Sequence, residues 1–560
     1  MLHFLVDVVS AILVLTGASS FEELGESEME RFQHYAEHPL RINQAGRSRL
    51  LSSGLFSAYQ VASLEDYRSR SGDILGVTEL GLVDGFGAET AEALSLFVSF
   101  ESSLAPGALE DRRVRQSAMV RGGARIKGED SAVFYGAKYH LELGGRAEFW
   151  WASRTSYTVR KFSPGTFSAA LYGKRGGKLV LGDFAARFGQ GLALWSSFSM
   201  SGFSSVAAFR RSASGIAPTG SFSPRFRGVA ADLTSGRWTV SAAAAFSGLQ
   251  RGSTPEVMPM AAVSRLGRRG QFGLQAFYKD GFVASADGTL GLGHLTLFGE
   301  AALSSRRETE GEYVLQRTRL AAVGGASWSP AYKLRFVILA RHYPSGYYDS
   351  FSGAVRSASK VAGESGFSAG AKWRSLEFTA DAAFYPEKGS RAYKCLLVCS
   401  PVFKAGAVEI NPMLRIAERY RTADSPPWRH EYRAGVKSGL RGFQLNGRFD
   451  LVRMKETAMA GYVETGWKTP SDTARVQVSA FLRATFFRVD NWDDRIYCYE
   501  RDLPGSFSVP ALYGRGHSVS AIIGVKTRRH SLHLKASLLR NASAGRPSSS
   551  EIKIQYGLKL

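Results

Sequence analysis

The last ten residues read Glu551-Ile-Lys-Ile-Gln-Tyr-Gly-Leu-Lys-Leu560. Ile552, Ile554, Tyr556, Leu558 and Leu560 fall on one side of an extended chain, and Lys553, Gln555, Gly557 and Lys559 on the other. Successive side chains of a strand point to opposite faces, so this alternation marks a strand with one apolar and one wet face. A barrel strand crossing a bilayer needs about 9–11 residues, apolar toward lipid and polar toward the lumen. The stretch meets both conditions. An amphipathic strand of a soluble sheet carries the same pattern, so the rest of the chain has to decide.

Working back, the alternation recurs. Arg237–Phe246 follows a turn at Ser235-Gly236, Phe272–Tyr278 alternates, and Leu290–Ala301 follows a hairpin signal at Asp287-Gly288. Further strands read near 334–341, 367–372, 377–384, 443–451, 476–486, 519–527 and 532–539. At roughly 22–27 residues per strand with its loop, the region 126–560 predicts an all-β transmembrane antiparallel barrel of roughly 16–20 strands, within the bacterial range. A soluble β-sandwich of this size is the competing reading. The closing strand and an export segment argue against it.

The composition agrees with a barrel. Glycine supplies 60 of 560 residues and aromatics 12%, with 18 prolines. Charged residues make up 21%, and mean hydropathy is −0.13. No run of 18 apolar residues follows the N-terminus, so no membrane-spanning helix is expected. The three cysteines are an odd set, and Cys395 and Cys399, four apart, would lie about 13 Å apart on a strand, beyond disulfide reach. The net charge of +22 is uneven: residues 1–98 hold six Lys/Arg against 14 Asp/Glu, and the remainder is strongly basic.

Residues 1–20 read as a signal peptide. Phe4–Leu15 is mostly apolar and Thr16-Gly-Ala-Ser-Ser20 offers small residues for cleavage, although His3 is the sole basic candidate before the apolar run and Asp7 interrupts it. Residues 21–38 form an acidic helical lead. Residues 39–98 predict four short helices in two hairpins: Val61, Leu64 and Tyr67 recur at helical spacing, as do Ala91, Leu94 and Phe97, and Gly54, Gly72, Gly85 and Gly87 punctuate them. Residues 99–125, with Pro106, Gly107, Gly122 and Gly123, read as a linker carrying the basic run Arg112-Arg113-Val-Arg115.

Pro39-Leu-Arg-Ile-Asn43-Gln-Ala45, then Leu64–Arg68, Gly72, Thr78-Glu-Leu80 and the Gly85/Gly87 hairpin together resemble the paired helix-hairpin-helix domain of ComEA-type competence proteins. The resemblance covers about 60 residues. It implies that hairpin amides and the following helix start hold a DNA backbone without reading sequence, as exposed N–H groups there attract phosphate. On these positions the DNA- or partner-binding residues are Gly54, Gly85, Phe86, Gly87 and Ala88, with Arg47 and Arg49 as cations. Two departures weigh against DNA: Phe56 stands where a second glycine belongs, and Asp84, Glu89 and Glu92 flank the second hairpin. Residues 39–98 hold five Arg and seven acids, whereas non-specific DNA affinity is largely electrostatic.

The closing decapeptide resembles the last strand of bacterial outer-membrane barrels. Leu179–Phe184 with Arg187–Leu192, Arg225–Gly228, Glu364–Phe367, Arg495–Glu500 and Tyr513–Gly516 resemble exported Bacteroidetes proteins in which such a helical pair precedes an outer-membrane barrel. That resemblance implies architecture and no biochemical activity.

Local chemistry is sparse. Gly189-Gln-Gly191 lacks a following GK[ST] and reads as a bulge or close strand contact rather than a phosphate loop. Asp490, Asp493, Asp494 and Glu500 offer oxygen ligands without EF-hand spacing, so Arg-paired or solvated acids are the plainer reading than calcium. No catalytic residue, metal site or cofactor is expected, and the chain reads as a non-enzyme. The functional expectation is an outer-membrane barrel with a periplasmic helical module that handles DNA or another polyanion without sequence specificity. The alternative is an interaction protein whose hairpins dock a periplasmic partner or plug the barrel. Expected partners are outer-membrane lipid, duplex DNA and a periplasmic protein.

Overall fold

The structure is a computed structural model that describes residues 8–16, 18, 24–103, 114–157, 165–173, 176–196, 203–247, 256–267, 269–310, 313–331, 333–385, 393–419, 428–470, 474–506, 508–543 and 547–560. Most of the signal-peptide flanks, Phe21–Glu23, and Pro106, Gly107, Arg112 and Arg113 of the linker lie outside these residues.

The chain builds a closed antiparallel barrel of 24 strands, from Val114–Lys127 to Ser549–Lys559. First and last strands pair antiparallel, Val120 opposite Tyr556, Gly122 opposite Ile554 and Ala124 opposite Ile552. The decapeptide that decides the fold is thus the closing strand. Ile552 and Ile554 are 59% and 49% exposed on the outer face, while Gln555 is buried inside. The same division runs around the wall. Phe272, Leu320, Ile338, Phe367, Leu482 and Ile523 face outward, and Asp450, Glu464, Arg483 and Lys535 are buried inward. Closure leaves no unpaired edge, and an apolar exterior lets lipid replace water at no cost in hydrogen bonds.

Three expectations need correction. The strands number 24 rather than 16–20, because one rim is made of tight turns, most of two residues, such as Gly236-Arg237 and Gly293-His294. Each strand with its connection then takes about 19 residues. The barrel begins at Val114, so Arg115, Gly122 and Gly123 lie in the first strand rather than in a linker. Asp287-Gly288 is not a turn. The strand Phe282–Leu292 runs through it, with Asp287 aimed inward over Gly273, where an added Cβ would lie 2.4 Å from its carboxylate.

The other rim carries long connections: residues 188–225, 344–363 and 490–513. Short turns face the periplasm and long loops the exterior in barrels of this kind. The amino-terminal segment joins at the short-turn rim, since Val114 begins the first upward strand.

Among the described residues that segment holds six α-helices: α1 (Val8–Thr16), α2 (Glu26–Glu37), α3 (Arg47–Ser52), α4 (Ala58–Ser71), α5 (Val77–Leu82) and α6 (Gly87–Leu94). The four breaks read from the glycines are all present, with positive φ at Gly54, Gly72, Gly85 and Gly87. Leu40–Arg41 and Val98–Ser99 form a parallel two-stranded tie between the ends of α3–α6. Fully buried Asn43 exchanges two hydrogen bonds with the Ile74 backbone, at 2.9 Å each, and locks the two hairpins together. Leu50, Val61, Leu64, Leu80, Ala91, Leu94 and Phe97 share one core with Ile12 and Phe32 of α1 and α2. Among the described residues no helix is long and apolar enough to cross a membrane.

Candidate functional site in the lumen

A helix repeats its faces every three to four residues. In α2, Glu26, Glu30 and Glu37 share one edge, which faces the barrel wall. Glu26 meets Arg154 at 2.7 Å, Glu30 meets Lys138 at 2.8 Å, and Glu37 meets Lys559 at 3.3 Å. Lys559 lies at the short-turn rim and Arg154 at the upper end of its strand, so α2 climbs through the lumen. On the same edge, between Glu30 and Glu37, Gln33 accepts from the amide of Gly505, which sits in the inward-folded connection 490–513. A second edge, Met29, Phe32 and Ala36, packs into the helical core.

Midway, α2 meets the wall through rings. His34 lies 4.9 Å from His140, 5.1 Å from His38 and 4.7 Å from Trp150, and His140 stacks on Trp150 at 3.8 Å. Glu148 and Tyr172 of the wall hydrogen-bond each other beside them. Burial, then the neighbouring His140 and His38, pushes His34 well below its ordinary value. Burial and Lys559 push His38 down to about 4. Burial raises Glu30 despite Lys138. His34 and His38 are therefore neutral at pH 7, where a cation in this enclosed layer would lose its hydration.

The first hairpin also seats on the barrel. Arg47 donates to Glu65 and, at 2.6 Å, to the Gly236 carbonyl of a wall turn. Ser48 donates to the Gly176 carbonyl at 2.9 Å. Arg49 pairs with Glu142 at 2.8 Å; Glu148 and Glu142 outweigh burial and raise its guanidinium further. The expected DNA-contacting cations thus face the barrel. Gly54 is half-buried, with room for its Cβ taken by Arg31 at 2.9 Å. Phe86 is buried at 6.0 Å from Phe56. Gly85, Gly87 and Ala88 are exposed, and a Cβ on Gly85 would meet the Tyr59 ring at 2.8 Å. The structure therefore separates the seven candidates: Arg47, Arg49, Gly54 and Phe86 turn inward, and three stay at the surface.

From the long-loop rim, connections fold inward and are held by wall carboxylates. Gly189-Gln-Gly191 is no bulge, but it does lie close against the wall strands, where a Cβ on Gly189 would stand 2.6 Å from Glu300 and 3.0 Å from Asp287. It is a turn around Glu300, whose carboxylate accepts from the amides of Gln190 at 2.7 Å, Leu192 at 3.0 Å and Ala193 at 3.4 Å, and from the Gln275 side chain at 2.9 Å. Three loop amides converge on an anion, as in a phosphate loop, but the anion is the protein's own. Glu377 holds the amide of Val206, and Glu364 those of Ser357 and Ala358. Buried Arg341 bridges Glu364 at 2.6 Å and Asp381 at 2.8 Å. Apolar clusters around Phe203, Phe209, Tyr343 and Tyr347 fill the space between loops and wall. The acids read as possible ligands are engaged too: Asp490 with Arg515, Asp493 with Lys455, Asp494 with the amides of Lys455 and Glu456, and Glu500 with Lys535. Among the described residues no His/Cys/Asp/Glu group is arranged to hold a metal, and all three cysteines are free thiols.

Sequence reasoning missed the wall partners of α2. The usable signal was the four- and seven-residue spacing of Glu26, Glu30 and Glu37 before a basic barrel.

No protein-family model and no curated protein matches the chain. Solved structures do. The translocation pore of the P pilus usher PapC is 9% identical at a TM-score of 0.39, over 80% of this chain and 99% of that one. The E. coli P pilus tip assembly intermediate PapC-PapD-PapK-PapG matches at 12% identity and a TM-score of 0.48, over 82% of this chain and 63% of that one. The FrpB iron transporter from Neisseria meningitidis is 10% identical at 0.37, over 81% and 83%. The chain has an outer-membrane barrel fold. At such identities the likeness concerns fold alone.

Proposed function

We propose that the protein is a gated outer-membrane barrel whose own N-terminal helices are the plug. The observation that carries this reading is the acidic edge of α2 paired with Lys138, Arg154 and Lys559 inside the lumen. Size makes a plug necessary. Twenty-four strands at about 4.8 Å spacing and about 40° tilt enclose a ring roughly 45–50 Å across. Barrels of 16–18 strands already leave an aqueous channel, so an unfilled one of this size would breach the membrane. The acidic lead and basic barrel, opposite in charge along the sequence, become a complementary pair.

In this reading the hairpins resembling ComEA-type domains are the periplasmic base of the plug rather than a DNA clamp, since Arg47 and Arg49 hold the barrel. Planar-bilayer conductance tests it. The full chain should be closed at rest. Deletion of residues 21–103, or Glu26→Lys/Glu30→Lys/Glu37→Lys in the full chain, should open a nanosiemens-scale pore. A closed barrel in both variants, each verified as folded by heat-modifiable gel mobility, would refute the plug.

A further inference from the structure

On the outer face of the barrel, next to the long-loop rim, three neighbouring strands each carry an arginine. The strands are Val476–Val489, Gly514–Thr527 and His530–Asn541, and the residues are Arg488, Arg515 and Arg540. Each falls in step with an outward apolar residue lower on its own strand: Phe486, Val519 and Leu538, which are 43–48% exposed. The guanidiniums therefore stand where the lipid-facing band stops and the connections begin.

The register puts Arg488 directly opposite Arg515, and Arg540 opposite His517, one outward step down from Arg515. Opposite side chains on one face of an antiparallel pair stand about 5 Å apart at Cβ, and like charges there repel. Asp490 answers only part of this. Its two oxygens accept from Arg515 at 2.6 and 2.9 Å, and it meets Arg488 at 3.6 Å. The side chains of Arg488 and Arg515 stay 58% and 56% exposed, and Arg540 is exposed as well. At these strand ends, the turn 454–456 and residues 490–495, six described cations (Arg453, Lys455, Arg488, Arg495, Arg515 and Arg540) face four acids (Glu456, Asp490, Asp493 and Asp494). Lys455 and Asp493 pair with each other at 2.9 Å, and Asp494 is buried against two backbone amides. The positive surplus therefore lies on the outward patch.

Accessible guanidiniums at the edge of an apolar wall suit a lipid phosphate. A guanidinium is weakly hydrated, and its planar fork of donors fits paired phosphate oxygens. Long loops face the exterior, so the leaflet beside the patch is the outer one. Two strand spacings of about 4.8 Å spread the three arginines over about 10 Å, which suits a headgroup with more than one phosphate. We propose that Arg488, Arg515 and Arg540 form a lateral docking site for a phosphorylated glycolipid of the outer leaflet, its phosphates on the arginines and its acyl chains along Phe486, Val519 and Leu538. The site lies on the lipid side of the wall and is independent of the plug.

Native mass spectrometry of the full chain in a non-ionic detergent, titrated with bisphosphorylated lipid A at constant salt, tests it. The wild type should form a one-to-one adduct. Arg488→Gln with Arg515→Gln should weaken it at least tenfold, and Arg540→Gln severalfold. Arg237→Gln with Arg374→Gln removes as many cations from the short-turn rim and should bind as the wild type does. Monophosphorylated lipid A and phosphatidylglycerol should each bind at least tenfold more weakly. Heat-modifiable gel mobility verifies that every variant is folded. Four results overturn the proposal: no adduct with the wild type, unchanged affinity in the folded patch variants, an equal loss in the rim variant, or equal binding of either comparison lipid.

Discussion

Replacing Glu30 by Gln should unseat the plug. Glu30 and Lys138 are both largely buried, with 8% and 18% of their side chains exposed, and their charges meet at 2.8 Å. Among the described residues Glu30 pairs with no other cation at that distance, so the contact is one of charge. At an effective dielectric of about 20, two unit charges this close attract by about 6 kcal/mol, most of it offset by the hydration each has lost. Gln keeps the shape, removes the charge and strands the ammonium. Stranding one partner of a buried pair costs about 3–5 kcal/mol, and water in the lumen places this case near the lower end. Each 1.4 kcal/mol is about tenfold, so the unseated population should rise on the order of 100-fold. Single-channel recording reads this as opening frequency. The exchange Glu30→Lys with Lys138→Glu should restore most of the closed state, with a double-mutant coupling of about 2–3 kcal/mol. If Glu30→Gln and Lys138→Met leave opening frequency unchanged, or the exchange is no better than either single variant, the reasoning fails.

Acidification should also loosen the plug. His34 and His38 sit below their ordinary values, so the unseated state binds more protons and seating weakens as pH falls from about 6.5 toward 4. Glu37 and Glu148 face these rings with Arg49, Arg115, His140 and Lys559, and His34→Phe should flatten the opening-versus-pH curve. Glu300→Ala removes the acceptor of the Gln190 and Leu192 amides and should release the loop 188–225, raising its protease sensitivity in intact cells at least tenfold while barrel mobility on gels is kept. Gly189→Ala should do the same, because φ is +56° and the new Cβ would lie 2.6 Å from the Glu300 carboxylate. Arg341→Met strands Glu364 and Asp381 in a fully buried site and should lower the thermal midpoint of the barrel by several degrees.

Much of the wall was legible because its physics is local. Alternation in 443–451 or 532–539 places residues in or out whatever their neighbours, and the observed strands Phe443–Arg453 and His530–Asn541 extend those readings by only a few residues. The Gly54, Gly72 and Gly85 breaks were equally local, since each needs positive φ. Strand number was not, because it depends on turn length. Turns such as those at Lys333 and Arg374 take positive φ without glycine and leave little trace in composition. Asp287-Gly288 misled for the opposite reason: a hairpin dipeptide sits in mid-strand where a lumen carboxylate needs an open glycine opposite. The lumen was the least legible part. Glu300 lies more than a hundred residues from the amides it holds, and Glu30 as far from Lys138, so partners are set by closure of the barrel and not by spacing.

The central claim is that α2 sits inside the barrel, and proximity tests it most directly. In a background with Cys395, Cys399 and Cys498 replaced by Ala, Glu30→Cys and Lys138→Cys should be joined by a short bis-maleimide in intact outer membranes, giving a gel-shifted product absent from either single variant. An unjoined pair, with the thiol introduced by Glu30→Cys freely labelled by a membrane-impermeant maleimide added to the periplasm, would place α2 outside the lumen and contradict the account.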